Sequence, residues 1–385
     1  MSPLGTLPIP TAPHFALDWA ALDARFEWIR AMAGCAQDPV WHAEGDVWIH
    51  TRMVCEALLE TAEWRALDAE DRAIAFAAAL LHDVAKPEVT RVVDGRITSR
   101  GHSGRGENVA RVLLAELGAD LSTREEVVRI IESHQLPFFA IDQASPAARL
   151  HRLAEVARPS LVALVAEADA RGRVAVDQAR LLDQIDLFRE LARDEGVLRG
   201  ARPFASTLAR YTYFHRPETH RDYVPHDETW GEVVVLSGLP ASGKDTWIRE
   251  RAGGLPVVSL DALREELEVA PDETQGRVIS AAKEQARQHL RAHQPFVWNA
   301  TNLSRQHRAP LIALIADYGA QVNLVYREVP PDEQRARNRS RERQVPSDVL
   351  TKMRTRWQVP DRTEAHRVSW NDGAAGPRDA ETSAR

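Results

Sequence analysis

Residues 232–247 read EVVVLSGLPASGKDTW, and this stretch decides the second half of the fold. EVVVLSG is a β-branched run of the kind buried on both faces in a parallel sheet. It runs directly into Gly238-Leu-Pro-Ala-Ser-Gly-Lys244, a GxxxxGK pattern. The glycines of such a loop let backbone N–H groups cradle phosphates, and the lysine reaches the β- and γ-phosphates. The strand–loop–helix setting separates this from a chance glycine pattern. Gly238, Pro240, Ser242, Gly243, Lys244, Asp245 and Thr246 are therefore the candidate nucleotide contacts. Asp245 stands where Ser or Thr is usual, and Ala241 where glycine is common. Two roles stay open: Asp245 holds the Mg2+ itself, directly or through water, or Thr246 supplies the hydroxyl one position later.

Downstream, VVSL (257–260), FVWNAT (296–301) and VNLVYRE (322–328) repeat the strand texture, with helical stretches between them. Alternating strand and helix predicts a doubly wound α/β domain with a parallel sheet. VVSLDALRE places Asp261 just after the second strand and Arg264 one turn later. A carboxylate there can take a proton from an attacking hydroxyl, and Arg264 can hold an acceptor phosphate; an N-capping aspartate is the structural alternative. WNATNLSRQHR offers Asn299, Thr301, Asn302 and Arg305. From Arg335 to Arg356 there are eight Lys/Arg against two acids, Glu342 and Asp348. Arginines there can close over a triphosphate and stabilise transition-state charge; a solvated basic helix is the plainer reading.

Upstream the texture is different. Segments 18–33, 47–64, 70–86, 106–118, 123–134, 145–157, 159–170 and 176–194 carry apolar residues at helical spacing. TRVVDGRITSR (90–100) is the exception, with Asp94-Gly95 as a hairpin signal. The first half is expected to be all-α. His82-Asp83 closes the segment 70–86, offering one nitrogen and one oxygen to a metal. His50, His102, His134 and Asp169 each lie in or beside a predicted helix, and a helical bundle can turn them all inward. Four histidines and two carboxylates suffice for two divalent ions, which together activate a water for attack on phosphorus. Lys86, four residues after His82, and Arg173, four after Asp169, are placed to contact phosphoryl oxygens.

The chain has 385 residues and a net charge of −7. That balance disfavours a protein that coats long duplex DNA but not an enzyme that grips a strand end. Cys35 and Cys55 cannot form a disulfide framework, and the first residues do not read as a signal peptide. A cytoplasmic protein with no membrane partner is expected. The expected divisions are an all-α domain over 1–200, a Pro- and Tyr-punctuated linker or non-helical flap over 201–229, an α/β domain over 230–371, and a disordered tail over 372–385.

The ordered set His50, His82-Asp83, Lys86, His102, His134, Asp169 and Arg173 resembles the HD phosphohydrolase superfamily, in texture especially the HD domains of bacterial tRNA-end processing enzymes. The resemblance covers about residues 40–190. It implies an all-α fold, phosphomonoesterase or phosphodiesterase chemistry, and divalent transition metals such as Mn2+, Ni2+ or Co2+. The second half, about residues 230–370, is similar to the polynucleotide 5′-kinases of bacteriophage and bacterial RNA repair, on GLPASGKDTW, LDALRE, NATNLSRQHR and RNRSR…VP. That likeness implies ATP or another NTP with Mg2+, Asp261 as general base, Arg264 as an acceptor-phosphate contact and Arg341 as the lid arginine on the donor phosphates. In this order the two halves resemble the bifunctional bacterial HD polynucleotide kinases. The implied partners are RNA or DNA strand ends, the NTP, and an RNA or DNA ligase acting after the ends are healed; homo-oligomers are compatible with the sequence. The rival readings are a small-molecule kinase fused to a nucleotide phosphohydrolase and a nonenzymatic nucleotide sensor.

Overall fold

A computed structural model describes residues 3–270 and 273–371 and the backbone of 373–374. These residues fall into two compact units, one up to Arg202 and one from Pro203 onward.

The first unit is built from α1 (Trp19–Arg25), α2 (Glu27–Met32), α3 (Val47–Glu60), α4 (Ala62–Ala66), α5 (Ala69–Leu81), α6 (Lys86–Val89), α7 (His102–Glu116), α8 (Leu121–Ser133), α9 (Pro146–Ala154), α10 (Pro159–Arg171) and α11 (Gln178–Asp194). A short hairpin, β1 (Arg91–Val93) and β2 (Arg96–Thr98), interrupts them at the predicted Asp94-Gly95 turn. Helix starts follow capping chemistry: Asp46, Asp68 and Asp120 each accept a backbone N–H at the heads of α3, α5 and α8. Each such cap contributes about 1 kcal/mol. Helix α5 is apolar on all sides, and every residue from Ala73 to Leu81 is buried, as befits the central helix of a bundle. It packs against α3, α8 and α10. Gly172, just after α10, makes a close approach: a Cβ there would lie 2.5 Å from the Val54 backbone nitrogen. Only glycine lets the end of α10, with Asp169 and Arg173, lie against α3, which carries His50.

The predicted helix 70–86 does not run through. It ends at Leu81, and Lys86 opens α6 after a turn of i→i+3 bonds, Val84 N to Leu81 O at 3.1 Å and Lys86 N to Asp83 O at 2.9 Å. His82 and Lys86 therefore do not share a helix face. The break is local chemistry: the His82 ring donates to the Ala79 carbonyl at 2.7 Å, competing with the backbone for an acceptor of the last turn.

The second unit holds β3 (Gly231–Ser237), β4 (Val257–Ser259), β5 (Val297–Asn299), β6 (Ala320–Tyr326), β7 (Arg367–Trp370) and β8 (Gly373–Ala374), with α12 (Thr207–His215), α13 (Lys244–Arg251), α14 (Leu260–Glu266), α15 (Gly276–Arg291), α16 (Arg305–Asp317), α17 (Pro331–Arg339) and α18 (Ser347–Arg354). The sheet order is β4-β5-β3-β6-β7-β8. The first five strands are parallel, and β8 is antiparallel to β7. Val233, Val235, Leu236, Val322 and Leu324 are buried in the two central strands, the near-continuous apolar texture a two-sided sheet requires.

Residues 203–229 belong to this second unit and are not a non-helical flap. They contain α12, whose Arg210 donates to the carbonyls of Arg362 (3.0 Å) and His366 (2.7 Å). Tyr211 stacks on both His215 and His366, with ring centroids 4.0 and 3.9 Å away. Of the tail expected over 372–385, the backbone of 373–374 forms β8 and the rest lies outside the described residues. Among the described residues no helix is long and apolar enough to cross a membrane, and both cysteines are free.

Candidate functional site

Six side chains spread over 120 residues of sequence converge in the first unit. His50 lies on α3, His82 and Asp83 follow α5, His102 opens α7, His134 follows α8, and Asp169 lies on α10. Their ligand atoms form two groups, His50–His82–Asp169 and Asp83–His102–His134, each with all atoms within 4.8 Å of one another. All six are buried. His50 Nε2 lies 3.1 Å from Asp169 Oδ1 and 3.4 Å from His82 Nε2. Asp83 Oδ2 is 3.2 Å from His82 Nε2, and its Oδ1 is 3.4 Å from His102 Nε2.

One device orients three of the rings. His82, His102 and His134 each place Nδ1 on the carbonyl three residues earlier: Ala79 at 2.7 Å, Ser99 at 2.9 Å and Ile131 at 2.7 Å. A carbonyl only accepts, so Nδ1 carries the hydrogen and Nε2 presents its lone pair inward. Such outer hydrogen bonds orient metal-ligating histidines. For His50 the outer neighbour is a carboxylate: Glu44 Oε1 lies 2.8 Å from Nδ1, at ion-pair distance but outside hydrogen-bond alignment.

Electrostatics agree with a cation-binding centre. Burial alone would raise the Asp83 carboxyl, but His82 and Lys86 outweigh it and hold it well below the usual range. Burial also opposes the charge on Asp169, and Arg173 and His50 outweigh it in the same direction. Burial drives the His134 imidazole down to about 3 and lowers His102, so both rings offer lone pairs at neutral pH. Burial opposes protonation of His50 too, yet Asp169 and Glu44 raise it above the ordinary histidine value. Asp83 Oδ1 is buried and accepts no hydrogen bond. Facing imidazole lone pairs, buried carboxylates and that orphaned oxygen fit divalent ions, which would here polarise a phosphoryl oxygen and acidify a bound water.

Lys86 and Arg173 flank the centre. Lys86 Nζ contacts Asp83 Oδ2 at 2.7 Å and donates to Gln37 at 2.6 Å. Arg173 spans both oxygens of Asp169 at 2.7 Å. Both line a cavity of about 380 Å³, together with Gln37, His42, His102 and Gln135. The sequence reading missed Gln37, His42 and Glu44. His42 and His50 share Glu44 at 2.8 Å each, so these three form a further potential ligand group. The visible signal was His42-x-Glu44 shortly before His50 in HAEGDVWIH.

The second site is the loop between β3 and α13. Gly238 (φ 148°) and Gly243 (φ 91°) take backbone conformations that favour glycine. A Cβ on Gly238 would lie 2.2 Å from the Arg327 carbonyl oxygen. Ala241 also has a positive φ, 63°, a strained choice where glycine is common. Lys244 Nζ donates to the carbonyls of Gly238 and Leu239, each at 2.9 Å. Burial of the ammonium lowers Lys244 to about 8. Asp245 accepts from Asn299 at 2.8 Å, and Thr246 from Arg249 at 3.3 Å.

Asp261 lies in the first turn of α14 and is not its cap: Ser259 accepts from Ala262 N at 3.3 Å in that position. The Asp261 side chain is 76% exposed and pairs with Arg264 at 2.5 Å. Arg264 also donates to Gln275 at 2.8 Å. The charges of Asp261 and Arg341 both bear on the ionisation of Lys244, the first raising it and the second lowering it. Gln334 of α17 donates to the Pro240 carbonyl at 2.9 Å, tying that helix to the glycine-rich loop. Asn338 closes the following turn on Val345 with two bonds of 2.9 and 3.1 Å, and Arg341 rides on that turn. Neither Gln334 nor Asn338 was singled out in the sequence. Trp298 and Trp357 are buried packing residues.

Residues 47–173 match the HD domain family, and residues 233–360 match an AAA domain family. A solved structure from Chloroflexus aurantiacus, described as a candidate kinase, is 18% identical, with 39% of this chain and 85% of that chain covered and a TM-score of 0.30. The chain thus carries an N-terminal HD domain of the metal-dependent phosphohydrolase class. It is followed by a C-terminal P-loop kinase-like domain, the type that uses an NTP with Mg2+.

Proposed function

We propose that the protein heals nucleic-acid strand ends. The kinase-like domain transfers the γ-phosphoryl of an NTP to a 5′-OH, and the HD domain removes a terminal 2′(3′)-phosphate or opens a 2′,3′-cyclic phosphate. The observation that carries this reading is the exposure of the base candidate in the kinase-like domain. Asp261 is largely exposed next to Arg264, so an acceptor hydroxyl on a long strand can reach the base without being enclosed. A small-molecule kinase would wall that base off.

In the kinase step the backbone of the loop and Lys244 hold the donor phosphates. Asp261 takes the proton of the 5′-hydroxyl as that oxygen attacks phosphorus. Arg264 holds the acceptor phosphate, and Arg341 stabilises charge on the transferring group. In the HD domain Lys86 and Arg173 bind the terminal phosphate's oxygens, and the six ligand candidates would hold divalent ions that activate the attacking water. A ligase that needs 5′-phosphate and 3′-OH ends is the natural consumer of both products.

The test is a short single strand with a 5′-OH and a 3′-phosphate, incubated with labelled ATP, Mg2+ and Mn2+. Lys244→Ala is expected to prevent 5′ labelling only, and Asp83→Ala to prevent 3′-phosphate release only. Unchanged ends with intact ATP binding would turn the search to small-molecule acceptors.

A further inference from the structure

We infer that the HD cavity carries a strand-holding subsite: Trp41 stacks the base next to the scissile phosphate, and Arg100, which lines the same cavity, pairs with the adjoining phosphodiester. The inference rests on the end-healing reading above and names how the HD domain would tell a strand end from a free nucleotide.

The cavity is lined by one ligand candidate, His102, by the flanking Lys86 and Arg173, and also by Trp41, Ile97 and Arg100. Trp41 is 47% exposed although indoles are usually well covered. Its segment is held rather than loose. Asp38 Oδ1 accepts from Val40 N at 3.0 Å, Trp41 N donates to the Asp38 carbonyl at 3.1 Å, and Ala43 N reaches the Val174 carbonyl at 3.1 Å. An indole presented outward from a fixed turn at a phosphate cavity is a stacking platform.

The β1–β2 hairpin also borders this cavity, through Ile97 and the following Ser99 and Arg100. Its turn residues Asp94 and Gly95 both have positive φ, 52° and 76°, the geometry of a tight two-residue turn. Its base is tied to the metal centre: Thr90 Oγ1 meets Ser99 Oγ at 2.8 Å, and the Ser99 carbonyl receives the His102 ring at 2.9 Å. Residues 90–100 hold three arginines, Arg91, Arg96 and Arg100, against one acid, Asp94, in a chain of net charge −7. This basic strap is therefore a local feature. Lys86 and Arg173 already serve a terminal phosphate. A further cation and an aromatic ring lining the same cavity match the next phosphodiester and its base.

The experiment compares a 3′-phosphorylated hexanucleotide, a mononucleoside 3′-phosphate and p-nitrophenyl phosphate, using the full-length metal-loaded protein. For Trp41→Ala, kcat/KM on the hexanucleotide is expected to fall about tenfold relative to kcat/KM on p-nitrophenyl phosphate, the scale of one lost base stack. Trp41→Phe, which keeps a stacking ring, is expected to restore most of it. For Arg100→Ala, the slope of log KM against log salt on the hexanucleotide should shrink by about 0.7, one released contact on a single strand. Equal losses on all three substrates would overturn the subsite, as would no loss on any, while leaving the end-healing reading intact. A wild-type protein that cleaves p-nitrophenyl phosphate but not the hexanucleotide would overturn both.

Discussion

Lys86 contacts a carboxylate, Asp83, at 2.7 Å, whereas Lys244 donates to two carbonyls of its own loop. The same contrast runs through both sites. In the HD domain the ligand candidates are buried, and three of the four rings are oriented by carbonyls three residues upstream. In the kinase-like domain Asp261 is exposed and paired with Arg264, and Arg341 sits on a turn beyond α17. The difference teaches that helix ends and outer-shell bonds set the first site before a substrate arrives. In the second, Asp261 pairs with Arg264 and Lys244 with carbonyls of its own loop, contacts that bound phosphates would replace. Metal chemistry needs fixed ligand directions; phosphoryl transfer needs donor, acceptor and cations positioned together around the transferring group.

Removing one group from each site is the strongest way to break this comparison. Asp83→Ala deletes the carboxylate that meets Lys86, His82 and His102. Phosphohydrolase turnover is expected to fall on the order of a thousandfold or more. Because the other site lies in a separate unit, 5′ labelling should stay within about twofold. Equal loss of both activities in a folded variant would sink the two-site account. Asp261→Ala is expected to cost about 10²–10⁴-fold in phosphoryl transfer, while NTP binding by calorimetry is unchanged because the donor contacts remain. Near-normal turnover would show that Asp261 is not the base.

How legible each site was in the sequence follows the same division. GLPASGKDT is a contiguous loop whose backbone does the binding, so spacing alone located it. The six scattered residues that cluster in the first unit were legible because each sits at a helix end or on an inward face. Glu44 escaped because it lies in an irregular stretch before α3, and only the fold brings it to His50. Gln37 escaped for the same reason: a glutamine carries no ligand signature, and its contact with Lys86 spans 49 positions. Residues 203–229 were misread because their prolines and tyrosines resemble a connector, while α12 is fixed by contacts with Arg362 and His366 that lie over 150 positions downstream. The break after Leu81 depends on a histidine bonding its own helix, which the apolar period cannot report.

A smaller effect sharpens the account of preorganisation. Glu44→Gln keeps the size of the side chain and removes its charge. Loss of the carboxylate behind His50 is expected to weaken Mn2+ binding to the HD domain by about 10–100-fold, read by calorimetry on the metal-stripped protein. The Ala79, Ser99 and Ile131 carbonyls still orient the other rings, so folding should be unaffected. Unchanged affinity would mean that Asp169 alone fixes the His50 ring.

The smallest expected effect probes the pairing in the other site. Burial brings Lys244 to about 8 in the nucleotide-free protein, below its ordinary value. Bound phosphates replace the loop carbonyls as its partners and favour the charged form, which raises it again. The sign follows directly: between the free value near 8 and the higher bound value, NTP binding takes up a proton. Affinity therefore falls as pH rises through that window and is flat below it. Calorimetry at about pH 8.5 in two buffers of different ionisation enthalpy should show fractional proton uptake of up to about one. Lys244→Arg, whose guanidinium stays charged throughout, should abolish the uptake. Uptake that persists in that variant would place the titrating group elsewhere, and the loop lysine would then be as fixed in charge as Lys86's side of the molecule is in position.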